Sequence, residues 1–299
     1  MVGMIDLSII IVNFNTCEIL GDCLANLSQI SPKEAEIIVV DNNSSDGAPD
    51  MVEKDFPKII LIRSKENLGI AKAANLALEK AQGSYVLFLG SDAFPKGGSL
   101  EGMVDYMDKN SKVGIATCRI LLRDGSLDKD SHRGFPTPWA ALTHFSKLDK
   151  IFAKSKLFGS YYQSYKDLSR AHEIDACISH YMFARKDIFK DIGGWDEDFF
   201  VYGEDIDLCY RVKSAGWQIM YLPQFEVIHY KGASVGLRKE TQDITKASEE
   251  TKNKMRASSI EAMKLFYAKH YQSKYPKILT TVILKAIEVL GYFRMRGGA

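Results

Sequence analysis

The acids Asp196, Glu197, Asp198, Glu204, Asp205 and Asp207 crowd into one stretch together with Trp195, Phe199, Phe200, Tyr202 and the glycines Gly193, Gly194 and Gly203. A solvated acidic face has no need of those aromatics. Apolar neighbours desolvate carboxylates and hold the pKa near the value a general base requires. Asp205 opens an amphipathic helix, because Ile206, Leu208, Cys209 and Val212 are apolar and Asp207 and Arg211 stand four apart. A carboxylate at a helix start, aimed into a cleft, suits a base. The same position suits an N-cap equally well.

Three further residues sit where chemistry is done. Asp41 ends an apolar run and could bind a ribose or base edge through its acceptor oxygens, or cap the Asx-rich turn that follows it. Asp92, beside Ser91, could ligate a hard divalent cation that bridges phosphates, or serve its own turn between Gly90 and Pro95. His229 precedes Lys231-Gly232-Ala233-Ser234 and, with Arg238 and Lys239 downstream, could meet a phosphate or a metal.

The elements that must position these groups read as βαβαβ over the first ninety residues. Residues 7–12 form a continuous apolar run, as expected of a strand buried on both faces of a parallel sheet. Strands follow at 36–40, 59–63 and 85–89, with helices at 17–27, 51–55 and 70–81 between them. In open α/β sheets ligands sit beyond the carboxyl ends of the strands. Asn13, Asn15, Asp41, Asn67 and Asp92 all fall at those ends. Downstream, strands are expected at 113–122, 176–184, 219–222 and 227–230, with helices at 100–108 and 185–192. Residues 134–163 show little period, and 237–259 read as a mobile charged loop.

The turn after the first strand, Asn13-Phe14-Asn15-Thr16, has neither a Gly-x-Gly-x-x-Gly fingerprint nor a Walker loop, which weakens dehydrogenase and NTPase readings. Five cysteines, Cys17, Cys23, Cys118, Cys177 and Cys209, show no metal-type pairing and favour a reducing compartment. No secretory leader is read at the start, so a cytoplasmic location is expected. The net charge of +1 hides an asymmetry: residues 252–299 carry +8 and the rest, by subtraction, −7. The body has no basic, aromatic-interleaved face, so nucleic acid is not expected as a partner. The last helix, 278–293, is too short and too charged to span a bilayer. It could lie in a membrane interface with Lys274, Lys277, Arg294 and Arg296 toward anionic headgroups, or pack on the body or on a second subunit as a homodimer.

The order of the segments is more specific than any one of them. Ser-Ile-Ile-Ile-Val-Asn-Phe-Asn is followed by Ile-Ile-Val-Val-Asp-Asn-Asn-Ser-Ser-Asp-Gly, Glu-Asn-Leu-Gly-Ile-Ala-Lys-Ala-Ala-Asn and Phe-Leu-Gly-Ser-Asp. Then come Gly-Gly-Trp-Asp-Glu-Asp-Phe-Phe-Val-Tyr-Gly-Glu-Asp-Ile-Asp-Leu and Val-Ile-His-Tyr-Lys-Gly-Ala-Ser. Over residues 5–234 the series resembles the family-two inverting glycosyltransferases of GT-A fold, in particular their rhamnosyltransferase-like branch. The resemblance implies an α/β fold with a mostly parallel central sheet flanked by helices and a C-terminal amphipathic helix. It implies a transferase domain over 1–236, with a nucleotide-binding half at 1–98 and an acceptor-binding half at 99–236, and a basic helical tail at 260–299.

Carried over by position, Asn13, Asn15 and Asp41 would hold the base and ribose of a TDP- or UDP-linked sugar, and Asn67, Gly69, Asn75 and Ser91 would shape the donor pocket. Asp92 and His229 would hold a divalent cation, Mg2+ or Mn2+, with Arg238 and Lys239 near the diphosphate. Asp205 would be the general base with Glu204 beside it, and Trp195, Gly194 and His180 would line the acceptor site. The acceptor implied is lipid-linked or a glycan, reached at the inner face of the cell membrane. Two departures stand out: Gly90-Ser91-Asp92 keeps only the second acid of the family's Asp-x-Asp motif, and Ser179-His180 replaces a small pair. The rival readings are a non-catalytic member that binds a sugar nucleotide or a partner, and a nucleotidyltransferase, which would carry a Gly-rich phosphate loop after the first strand.

Overall fold

The computed structural model describes residues 6–234, 236, 241, 244 and 248–296. The elements, in order, are β1 (Leu7–Asn13), α1 (Cys17–Ile30), β2 (Glu36–Asp41), α2 (Ala48–Asp55), β3 (Ile60–Arg63), α3 (Gly69–Lys80) and β4 (Tyr85–Gly90). They continue with β5 (Ala93–Pro95), α4 (Ser99–Lys109), β6 (Val113–Leu122), α5 (Pro138–Phe145), α6 (Leu148–Ile151), β7 (His172–Ile174) and β8 (Tyr181–Arg185). The last are α7 (Ile188–Ile192), α8 (Glu204–Ser214), β9 (Gln218–His229), α9 (Glu249–His270) and α10 (Lys277–Arg296).

Among the described residues nine strands form one sheet in the order β3-β2-β1-β4-β8-β6-β9-β5, with β7 also on β9. The β3-β2-β1-β4 half is parallel, whereas β8 runs antiparallel to both β4 and β6. Alternation along β1 divides its side chains between two layers. Ile9 and Ile11 pack with Leu20, Leu24 and Leu27 of α1, and Ile10 packs with Ala71, Ala74 and Ala77 of α3. Each fully buried Ile or Leu among them contributes roughly 1.5–3 kcal/mol. Two layers therefore anchor one strand. The registers Asn13↔Asp41 and Val12↔Gly90 bring the carboxyl ends of β1, β2 and β4 to one level.

Several elements differ from the sequence expectation. The strand expected at 176–184 begins only at Tyr181, because residues 177–180 turn to present Ser179 and His180 to the ligand edge. The two strands expected at 219–222 and 227–230 are one, β9, whose register against β6 shifts between Cys118 and Arg119. Residues 249–259, expected in a mobile loop, form the first half of α9. That helix is started by Ser248, whose hydroxyl accepts from the Thr251 amide at 3.1 Å. Its second half packs Ala262, Phe266 and Tyr267 with Phe199 in a third apolar cluster. The aperiodic 134–163 segment contains α5 and α6.

Candidate active site

A cleft of about 650 Å³ lies at the carboxyl ends of β1, β2 and β4. Its walls are Phe14 and Asn15 after β1, Asn42, the Asn67–Ile70 turn, Ser91 and Asp92 after β4, Ser179 and His180, Trp195 and Phe200, and the start of α9. The volume falls in the range of small-molecule and cofactor sites. A second hollow, about 570 Å³, lies at the α9–α10 junction around Lys277 and Thr280 and holds no acid or histidine.

The polar residues at the strand ends divide into two roles. Asn13 and Asp41 are buried and build the floor: Asn13 Nδ2 donates to Asp41 Oδ1 at 3.0 Å and to Ser44 Oγ at 3.1 Å, while Asp41 Oδ2 accepts from the Ser44 amide at 2.9 Å. Thr16 Oγ1 extends this network, donating to Asn13 Oδ1 at 2.5 Å and meeting Ser91 Oγ at 3.1 Å. Asn15, Asn67, Gly69 and Ser91 line the cleft itself. Asn42 locks the Asn67 turn, donating to Asn67 Oδ1 at 3.0 Å and accepting from the Leu68 amide at 2.8 Å. Its signal in the sequence was its place in the Asp41-Asn42-Asn43 string.

Gly69 has φ +78°, and a Cβ there would stand 2.4 Å from the Phe200 carbonyl oxygen. The Ile70 amide donates to that same oxygen at 2.9 Å. The start of α3 is thereby stitched to the loop that carries the acids. Asn75 clamps the same loop: its Oδ1 accepts from the Trp195 amide at 2.8 Å, and its Nδ2 donates to the Trp195 carbonyl at 3.0 Å and to Glu197 at 2.9 Å. Gly194 passes close against the Asn75 side chain, where a Cβ would meet Oδ1 at 2.3 Å. Neither Asn75 nor Gly194 is on the cleft wall, whereas Trp195 is.

At the deep end, the pairing Ala93↔His229 sets His229 beside Asp92. Asp92 Oδ1 and His229 Nε2 face each other at 3.5 Å, beyond a well-formed hydrogen bond, and neither has another partner. Asp92 Oδ2 accepts from the Ser234 amide at 3.1 Å. Asp128, which drew no attention in the sequence, lies 3.1 Å from His229 Nδ1 and also takes Lys231 at 2.5 Å. Burial alone would push the His229 pKa down, but the hydrogen bond to Asp128 and the negative charges of Asp92 and Asp128 outweigh it and hold it up at about 9. Burial likewise opposes ionisation of Asp92, and the charge of nearby His229 with the Ser234 amide outweighs it, bringing its pKa to about 2. His180 closes the cluster: one ligand atom from each of Asp92, His180 and His229 lies within 4.8 Å of the others.

A buried carboxylate oxygen and imidazole nitrogen, both unpartnered and turned to one point, fit a divalent cation. With an ion bound, His229 would give up its Nε2 proton, and Asp128 would then hold the Nδ1–H tautomer that leaves the Nε2 lone pair toward the ion.

Beyond Ser179 lie the acids of α8. The N-cap is Gly203, so Asp205 does not cap. Instead Asp205 Oδ2 accepts from Arg133 Nη2 at 2.7 Å, both side chains being almost sealed from solvent. Burial opposes the Arg133 charge, and the carboxylates of Asp205 and Asp130 hold it ionised. Glu204 is 3% exposed, with Oε1 3.5 Å from Ser179 Oγ and Oε2 unpartnered. Burial, and then the Asp205 charge, push its pKa up toward about 8. Neither acid is on the cleft wall itself, so Ser179 forms the boundary between them and the cleft. Arg238 and Lys239 lie outside the described residues.

The profile of Glycosyl transferase family 2 matches residues 8–193, and the chain belongs to that family. It is 27% identical over 224 residues to N-acetylglucosaminyl-diphospho-decaprenol L-rhamnosyltransferase of Mycobacterium tuberculosis, covering 71% of this chain and 72% of that one. It is 29% identical over 150 residues to the rhamnosyltransferase WbbL of Escherichia coli, covering 50% of this chain and 53% of WbbL. These relatives place it on the rhamnosyltransferase-like branch. Among solved structures, the mannosyltransferase PcManGT from Pyrobaculum calidifontis, in complex with GDP-Man and Mn2+, superposes with a TM-score of 0.57 at 17% identity, over 97% of this chain and 72% of that one. The fold is GT-A, as the sequence resemblance implied.

Proposed function

We propose that the protein is an inverting transferase that moves a sugar from a nucleoside-diphosphate donor, TDP-rhamnose or a UDP-hexose, to a lipid-linked or glycan acceptor in surface-polysaccharide synthesis. The observation that carries this reading is the gathering of these groups at one cleft. Asn15, the Asn67 turn and Asp92 line it, His229 stands 3.5 Å from Asp92, and the buried acids of α8 lie just past Ser179. Phe14, 43% exposed at the rim, offers a face on which a base can stack. The names of the relatives support the sugar class, and the PcManGT complex supports a sugar nucleotide with a divalent cation.

Inversion needs one base. Asp205 takes the proton from an acceptor hydroxyl as its oxygen bonds the anomeric carbon from the face opposite the nucleotide. The bond from that carbon to the diphosphate oxygen breaks, and the electron pair leaves with the diphosphate. Arg133 holds the Asp205 carboxylate in place by donating to its Oδ2 at 2.7 Å. A divalent cation at Asp92 and His229 would neutralise charge developing on the diphosphate. A second reading makes Glu204 the base, because its Oε2 has no partner and its neighbour Ser179 lines the cleft. Anomeric configuration of the product, read by NMR for the wild type, Asp205→Asn and Glu204→Gln, tests both. Retention of configuration would rule out the single-displacement chemistry, and survival of transfer in Asp205→Asn would hand the base to Glu204.

Membrane contact is assigned to α10. Thr280, Ile287 and Gly291 pack it on α9, which leaves Ile278, Val282, Val289 and Phe293 outward, interleaved with Lys285, Arg296 and one acid, Glu288. Among the described residues no helix is long and apolar enough to cross a membrane. An apolar stripe with cations set into it matches an anionic bilayer surface.

A further inference from the structure

His180 lines the cleft and closes the cluster of Asp92 and His229. We propose that it is the third protein ligand of the divalent cation, filling the space left by the missing side chain at position 90. The proposal rests on the transferase reading of the same cleft. Pairing of Leu89 with Tyr181 across β4 and β8 sets His180 opposite Gly90, and the Gly90 amide donates to the His180 carbonyl at 3.1 Å. Directly opposed residues have Cβ atoms roughly 4.5–5.5 Å apart. The imidazole uses that proximity: a Cβ on Gly90 would stand 2.7 Å from His180 Cδ2 and 2.9 Å from Asp92 Oδ1. A side chain at position 90 and this ring exclude each other. Because Gly90 brings no side chain, the imidazole of His180 occupies that space beside Asp92.

The ring is also correctly placed. Its centroid is 4.6 Å from that of His229, and its ligand atom is among the three that lie within 4.8 Å of one another. Asp92 Oδ1 and His229 Nε2, on the other two residues, are both buried with no hydrogen-bond partner. Two imidazoles and one carboxylate form a donor set suited to Mn2+, Fe2+, Co2+ or Zn2+. Mg2+ prefers oxygen ligands and retained water. This donor set therefore favours those ions over Mg2+.

The test is pulsed EPR on the whole protein with Mn2+ alone, and then with UDP or TDP, counting imidazole nitrogens coupled to the ion. Wild type is expected to show two and His180→Ala one, with Mn2+ affinity weaker by about 10–100-fold and an unchanged melting temperature. The double variant Gly90→Asp/His180→Ala is expected to regain binding with its preference shifted to Mg2+, since a carboxylate then fills the same space. One coupled nitrogen or none in wild type, or wild-type Mn2+ affinity in His180→Ala, overturns the proposal. Transfer that continues in EDTA with no imidazole coupling would sink the proposal and leave the transferase reading standing. Two couplings with no sugar nucleotide bound would do the reverse.

Discussion

Arg133 and Asp205, 72 residues apart in sequence, form a 2.7 Å ion pair whose side chains are only 10% and 12% exposed. The candidate base is thus held by a guanidinium that reaches it from the loop after β6. Asp205→Asn keeps the shape and removes the negative charge. Transfer should fall by about 10²–10⁴-fold while donor affinity changes little, as measured by steady-state rates and calorimetry.

Arg133→Ala is a different experiment. It strands Asp205 as a buried, uncompensated charge, and breaking such a pair costs about 3–5 kcal/mol. Urea denaturation should show that loss. A change below about 1 kcal/mol would mean that water reaches the pair and screens it.

Gly69→Ala should damage the cleft without touching its chemistry. The residue sits at φ +78°, and the new methyl would meet the Phe200 carbonyl. Strain of about 1–3 kcal/mol is expected, relieved by moving the 193–203 loop away from α3. Donor KM should rise more than kcat falls, and a matched fall in both would place the effect elsewhere.

The parallel half of the sheet was legible because β1, β2 and β4 are short apolar runs closed by Asn13, Asp41 and Gly90. The acids of α8 were legible as a cluster, but their partner was not, since nothing near Arg133 in sequence announces an acid far downstream. The first half of α9 was misread because its polar residues lie over the cleft, so the apolar period that marks a packed helix starts only near Ile260. Asn13 and Asp41 were legible as strand-end polar residues, yet much of their hydrogen bonding is with each other and Ser44. His180 was read toward the acceptor, because pairing with Gly90 appears only once β8 is laid antiparallel to β4.

Glu204 sets a pH dependence of stability. Its folded pKa is raised from 4.5 toward about 8 by burial and by Asp205, with Arg133 opposing the shift. Between those values the native state holds a proton that the unfolded chain has released, so stability falls as pH rises. The slope from this one group approaches about 1.4 kcal/mol per pH unit. Glu204→Gln should flatten the fall between pH 5 and pH 8 (roughly the window of the shift) in thermal melts. An unchanged slope would place the carboxyl in contact with water.

For the tail, Val289→Glu and Phe293→Glu alter outward side chains that are 55% and 64% exposed. The fold should be unaffected. Sedimentation with phosphatidylglycerol-containing vesicles should drop well below wild type, and equal binding would remove α10 as the membrane contact.

The most direct measurement is nucleoside-diphosphate release from TDP-rhamnose and a set of UDP-hexoses, with and without polyprenyl-diphosphate-linked N-acetylglucosamine, alongside calorimetric binding of each donor. One donor should bind and release its diphosphate only when the acceptor is present, and Asp205→Asn should bind that donor and release nothing. A donor that binds but is never turned over with this or any glycan acceptor would contradict the account and identify a binding protein built on a transferase fold.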